Sequence, residues 1–239
     1  MLQIEQVDHL IAKCRALGVH EKEFEYQNAI YCYRDGIIML KEVLITEGEF
    51  RIPEFVQAVY TEEEKEPQFS LGIRNVFREK MEYSGSPFRG CEALRVENCS
   101  EITDMSMLFA NCFELQWLDL SNFNTSRVVN MSGMFFQCIN LSEIVLTDLD
   151  TSQVRDFSDM FYCCRSLREL NLDSFTFDNT LDMSGMFCDC VNLEKIYMRK
   201  ASVGEEDDPK LAGMIAGCRN LSTFELNGIE NIDISYLYE

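Results

Sequence analysis

Several things are scarce in these 239 residues. There are two histidines, His9 and His20, one tryptophan, Trp117, and only 21 Lys and Arg against 41 Asp and Glu, a net charge of −20. With so few histidines no Ser-His-Asp set can be assembled, and no P-loop, GxGxxG, HExxH or GxSxG motif occurs, so an enzyme is not expected. The acid excess repels phosphate backbones and disfavours direct nucleic-acid binding. No stretch approaches the ~20 consecutive apolar residues of a membrane span. The N-terminal MLQIEQVDHLIAKCRALGVH carries Glu5 and Asp8 and lacks a signal-peptide core. The expectation is therefore a cytoplasmic protein, exposed at a cell surface only if a leader has been removed.

What the chain has in quantity is cysteine, eleven in all, and their positions follow a repeat. LQWLDL begins at Leu115, LSEIVL at Leu141, LRELNL at Leu167, LEKIYM at Leu193 and LSTFEL at Leu221, in steps of 26, 26, 26 and 28. Apolar residues hold the first, fourth and sixth places of each hexamer, so its last three residues alternate as a short strand does. Ahead of each strand stands a block such as Met131-Ser-Gly-Met-Phe-Phe-Gln-Cys138, with apolar residues at i, i+3, i+4 and i+7. That spacing predicts two helical turns, and Asp104, Asn130, Asp156 and Asp182 just before the blocks are candidate caps.

One strand and one short helix per repeat imply an α/β solenoid with a stacked parallel sheet. Cys112, Cys138, Cys164, Cys190 and Cys218 then occupy one equivalent position, and Cys91 shares it at the head of a shorter leading repeat. A ladder of small, soft side chains packed between rungs is the expected role. A zinc site from Cys163, Cys164, Cys188 and Cys190 is the weaker alternative, since CxxC knuckles are missing, and nothing basic stands near to activate a thiol. No cofactor or metal is expected.

The runs LDLSNFNTSRVVNMSGMFFQCINL, Leu118 to Leu141, and IVLTDLDTSQVRDFSDMFYCCRSL, Ile144 to Leu167, closely resemble the BspA-type leucine-rich repeats of bacterial proteins. The resemblance covers residues 88 to 233. It implies a right-handed leucine-rich-repeat stack of short parallel strands and short helices, of about six rungs over residues 88–239. Phe175-Thr-Phe-Asp departs from the family's Thr-Ser turn, and Ala201 to Asp208 is an insertion. Residues 1–87 fit the pattern less closely. They are expected to hold an amphipathic helix over 3–17, a hairpin about Asp35-Gly36, a degenerate repeat beginning Phe50-Arg-Ile-Pro, and a helix around Leu71 to Met81. Together these would form an α+β cap on the open end of the stack, or else a separate binding module.

The function expected of such a stack is protein binding by the outward face of its sheet. The outward positions fall in two rows: Trp117, Glu143, Glu169, Lys195, Thr223, and Asp119, Val145, Asn171, Tyr197, Glu225. The first eight partner-binding candidates are Trp117, Asp119, Glu143, Val145, Glu169, Asn171, Lys195 and Tyr197, because Trp117, Val145 and Tyr197 put apolar groups among charges where the repeat assigns solvent. The expected partner is a protein with a basic or mixed-charge surface. Two other functions fit the acidity or the resemblance: an inhibitor that mimics nucleic acid to block a nucleic-acid enzyme, and a fragment of a surface adhesin. Residues 86 to 239 hold 25 acids against 11 bases.

Overall fold

A computed structural model describes residues 4–34, 37–52, 58–59, 86, 88, 90–98, 102–198 and 211–226. The sequence expectations that fall elsewhere, namely the Leu71–Met81 helix, the Asp35-Gly36 turn itself and the Ala201–Asp208 insertion, lie outside the described residues. The chain opens with helix α1 (Ile4–Ala16) and an antiparallel meander, β1 (Glu21–Tyr26), β2 (Ala29–Arg34) and β3 (Ile37–Val43). β5 (Ala58–Val59) adds to β3 in parallel. Gln27 and Asn28, both left-handed, join β1 to β2, the conformation a two-residue hairpin turn demands.

The remaining strands belong to the solenoid. β4 (Glu47–Ile52), β6 (Ala93–Asn98), β7 (Trp117–Asp119) and β8 (Glu143–Val145) pair in parallel as one sheet, and β9 (Glu169–Asn171), β10 (Lys195–Met198) and β11 (Thr223–Leu226) as another. The fold is a leucine-rich-repeat solenoid, and among the described residues β4, which holds Phe50, stands at the head of its first sheet. One contiguous core runs from Val7 and Cys14 on α1 through to Cys218.

The short helices are not there. Each Met-Ser-x-Met-Phe-x-x-Cys block is instead two successive four-residue turns. Met134 N–H bonds Met131 O at 3.2 Å and Cys138 N–H bonds Phe135 O at 3.1 Å, while the third residues, Gly133 and Gln137, are left-handed. The same pairing of bonds and left-handed residues recurs at 105–112, 157–164, 183–190 and 211–218. The alternate amides leave the rung altogether: Met131, Gly133, Phe135 and Gln137 donate to Asp156, Ser158, Met160 and Tyr162 of the next, at 2.7–2.9 Å. A helix would turn its amides along one axis toward its own preceding carbonyls, whereas here half of the block's amides point sideways and stitch rungs together. The apolar spacing misled because two turns of four, each with its first and last residue inward, also place apolar groups at i, i+3, i+4 and i+7. Met131, Met134, Phe135 and Cys138 are fully buried. The cap residues keep their chemistry in this setting: Asp104, Asn130, Asp156 and Asp182 each accept the amide of the serine two residues on, at 2.8–2.9 Å.

Three columns run down the stack. Phe88, Phe109, Phe135, Phe161 and Phe187 pile ring on ring, with centroids 4.7–5.8 Å apart. Beside them the cysteine thiols bridge rungs: Cys138, Cys164, Cys190 and Cys218 donate to the carbonyls of Phe109, Phe135, Phe161 and Phe187 at 2.9–3.1 Å. The third column is left-handed. A Cβ on Gly133 would meet Met107 Sδ at 2.3 Å, and one on Gly185 would meet Asp159 Oδ1 at 2.1 Å, so each of those side chains lies in the space a glycine leaves on the following rung. Where Phe175-Thr-Phe-Asp breaks the Thr-Ser turn, Phe177 packs on Phe157 at 5.2 Å, filling a place that Thr125 and Thr151 take elsewhere.

Candidate interaction face

A parallel strand with its inner leucine buried must turn its first and third residues outward. Leu118, Leu170 and Ile196 are buried, so Trp117 and Asp119, Glu169 and Asn171, and Lys195 and Tyr197 lie on the outer face. Glu143 and Val145 flank Ile144, which is only partly buried.

The expected continuous rows are divided. Register joins Trp117 to Glu143 and Asp119 to Val145 in one sheet, and Glu169 to Lys195 to Thr223 and Asn171 to Tyr197 to Glu225 in the other. Among the described residues no strand pairing links β8 to β9. Elsewhere the amide after the strand bonds across, Leu120 to Val145 O at 2.9 Å and Leu172 to Tyr197 O at 2.8 Å. The rungs stay joined here through the turn blocks and through Ser166 Oγ, which donates to Ile139 O at 2.8 Å. Asp148, left-handed at φ 71°, follows β8 in this rung. The eight candidates therefore form two patches of four, one on each sheet.

Their electrostatics differ. Asp119 is 5% exposed, far more enclosed than an outward carboxylate was expected to be. Its Oδ2 accepts Arg95 Nε at 2.7 Å and its Oδ1 accepts the Ser121 amide at 2.9 Å. Burial alone would raise its pKa, but the Ser121 bonds and the Arg95 guanidinium outweigh that and hold it below the usual value. Asp119 is thus committed to holding Arg95, whose Nη1 also reaches Glu49 at 3.4 Å. On the other sheet Lys195 Nζ sits 3.3 Å from Glu169 Oε2, and that contact raises the lysine pKa. Arg168 and Glu194 pair nearby at 3.0 Å. Exposed pairs of this kind add little stability, being screened by solvent, and leave the groups open to exchange partners.

Sequence reading missed that the first patch extends further. Glu47 and Glu49 on β4 and Ala93 and Arg95 on β6 continue its rows, in the order Glu47, Ala93, Trp117, Glu143 and Glu49, Arg95, Asp119, Val145. The signal was present in the alternation of EGEFRI and ALRVEN, but Leu94 stands 24 residues before Leu118 rather than 26. The other exposed apolar side chains of the solenoid include Val129 and Leu181, separated by Arg155 in a ladder beside the turn blocks.

The cysteines are placed by the same columns. Cys164 and Cys190 point into the thiol ladder, while Cys163 lies 3.9 Å from Asp189 Oδ2 on another side of the turn. Among the described residues no three His, Cys, Asp or Glu gather as a metal site would require. No helix among them is long and apolar enough to cross a membrane.

Against known proteins, the family described as "Mycoplasma protein of unknown function, DUF285" matches residues 75–199. No curated protein matches the sequence. Two solved structures are similar. One is a leucine-rich cell surface protein of Faecalibacterium prausnitzii A2-165, at 16% identity and a TM-score of 0.45, over 91% of this chain and 42% of that one. The other is the leucine-rich repeat protein of T. pallidum, at 17% identity and a TM-score of 0.39, over 85% and 82% of the respective chains. The chain thus spans less than half the length of the first.

Proposed function

The chain belongs to this family, Mycoplasma proteins of unknown function, DUF285, and on that premise we propose that it is a non-enzymatic protein-interaction module with repeats of the BspA type. Binding takes place on the outward sheet face, and the partner is a protein with a basic or mixed-charge surface. The observation that carries this reading is Trp117. The chain's one tryptophan stands at an outward sheet position, half-buried, in register between Ala93 and the exposed Glu143. A large amphipathic ring ringed by charge is the composition of an interface anchor. Tyr197 is its counterpart on the second sheet, in register with Asn171 and Glu225. The acid excess adds long-range attraction, so association slows as salt rises. The proposed compartment is the cytoplasm. The alternative, the cell surface, is compatible with the buried ladder thiols, which need no reducing environment to stay apart from solvent oxidants.

The test is affinity capture with the wild type and with Trp117→Ala plus Tyr197→Ala, the fold of both checked by circular dichroism. Loss of one dominant prey in the folded variant supports the sheet face. An unchanged prey set refutes it. A prey that is a nucleic-acid enzyme would point to mimicry by the acids instead, and a host surface protein to adhesion.

A further inference from the structure

The first patch contains a slot that the second does not. Along the row Glu47, Ala93, Trp117, Glu143, strands lie about 4.8 Å apart, so Glu47 and Trp117 stand about 10 Å from each other with only the Ala93 methyl between them. In the second patch the corresponding row is Glu169, Lys195, Thr223, where the middle position is filled by a long side chain already in contact with Glu169. The slot is acidic: Glu47 forms its far side, Glu143 stands beyond Trp117, and Glu92 precedes Ala93, all three exposed. The cation on the adjoining row, Arg95, is held by Asp119 and Glu49.

Resting on the reading of the sheet face as an interaction surface, we infer that this slot receives a lysine or arginine side chain from an extended segment of the partner protein. The aliphatic stem lies over Ala93, and the charged head sits between the face of the Trp117 ring and the Glu47 carboxylate, with Glu143 adding negative charge from beyond the ring. A cation satisfies both walls at once, since an indole face is the strongest aromatic site for one and the carboxylates supply the opposite charge. An apolar side chain would desolvate those carboxylates with nothing to pair them. The occupant is an extended segment because the face offers rows of side chains, its backbone groups being used in the parallel ladder.

Trp117 is the only tryptophan, so its emission reports on this slot alone. The probe is a short peptide of alternating lysine and glycine, with the glutamine–glycine peptide as control. The lysine peptide should produce a saturable change in Trp117 emission that weakens as salt rises, and the control none. Ala93→Leu, which fills the slot from an outward position, should abolish the response. By calorimetry, Trp117→Leu should weaken binding about two- to fivefold, the factor a cation–π contact at an exposed site supplies. Glu47→Gln should weaken the lysine-peptide response, and Glu114→Gln, at an exposed acid off the strands, should not; undiminished binding by Ala93→Leu overturns the inference, as does an equal loss in the Glu47 and Glu114 variants. If the paired Trp117 and Tyr197 variant loses its prey while the lysine peptide never titrates, the interaction face stands and the slot alone is wrong.

Discussion

Phe135→Ala tests the stacking at its centre. Phe135 is fully buried, and its ring lies between Phe109, at 5.6 Å and 9°, and Phe161, at 5.1 Å and 22°. Truncating a buried phenylalanine costs about 3–5 kcal/mol when the site cannot collapse. Collapse is hindered here, because the backbone on either side is held by Phe109 N–H to Met134 O and by Phe135 N–H to Met160 O, at 2.9 and 2.8 Å. We therefore expect about 4 kcal/mol. With a guanidinium slope of about 4 kcal/mol/M, the midpoint of unfolding followed by far-ultraviolet circular dichroism should drop by about 1 M. Phe135→Leu separates volume from ring geometry. It keeps much of the apolar contact and loses two aromatic pairs, so it should cost about 1–2 kcal/mol. Equal midpoints for the alanine variant and the wild type would refute the ring column as a core element. Equal losses for alanine and leucine would show that ring stacking, and not burial, dominates it.

Two further outcomes follow from the chemistry of single side chains. Asp119→Asn should lower stability at neutral pH by weakening its hold on Arg95. Because the folded carboxyl titrates below its unfolded value, the wild type keeps that advantage above about pH 4 and loses it as pH falls further; a difference in thermal midpoint that persists undiminished at low pH would contradict this. The ladder thiols should react slowly with a disulfide reagent in the native protein at mildly alkaline pH, since burial drives Cys91 and Cys218 up to about 12 and keeps Cys112, Cys164 and Cys190 well above an ordinary thiol. All eleven cysteines should react once the protein is unfolded in denaturant, and rapid native modification of most of them would rule out the ladder.

The parallel strands were legible because a leucine alternation that returns at a fixed step is met by little else than strands stacked rung on rung. The positions of Leu118, Leu170 and Ile196 in the core and of Trp117 and Tyr197 on the face follow from it directly. The turn blocks were misread as helices because apolar spacing reports which residues face inward, not where the amides point. Met107 and Gln137 are left-handed, which residue preference alone would not suggest. In the candidate face, the commitment of Asp119 to Arg95 depends on a pairing across strands whose spacing departs from the repeat. The division between β8 and β9 has no marker in LSEIVL or LRELNL, both of which read as ordinary rungs.

The left-handed column imposes a grammar on how such an array can grow. Met107 and Asp159 reach into the room left by Gly133 and Gly185, whereas Gly185 is followed by Gly213, again left-handed and again without a side chain. Copying a glycine rung next to itself creates no new encounter in this column. Copying the Asp159 rung would set a carboxylate against the Cβ of its own duplicate, in a backbone conformation already unfavourable to side chains. Within this column, a duplicated glycine rung, or a side-chain rung duplicated together with the glycine rung that follows it, adds no such clash.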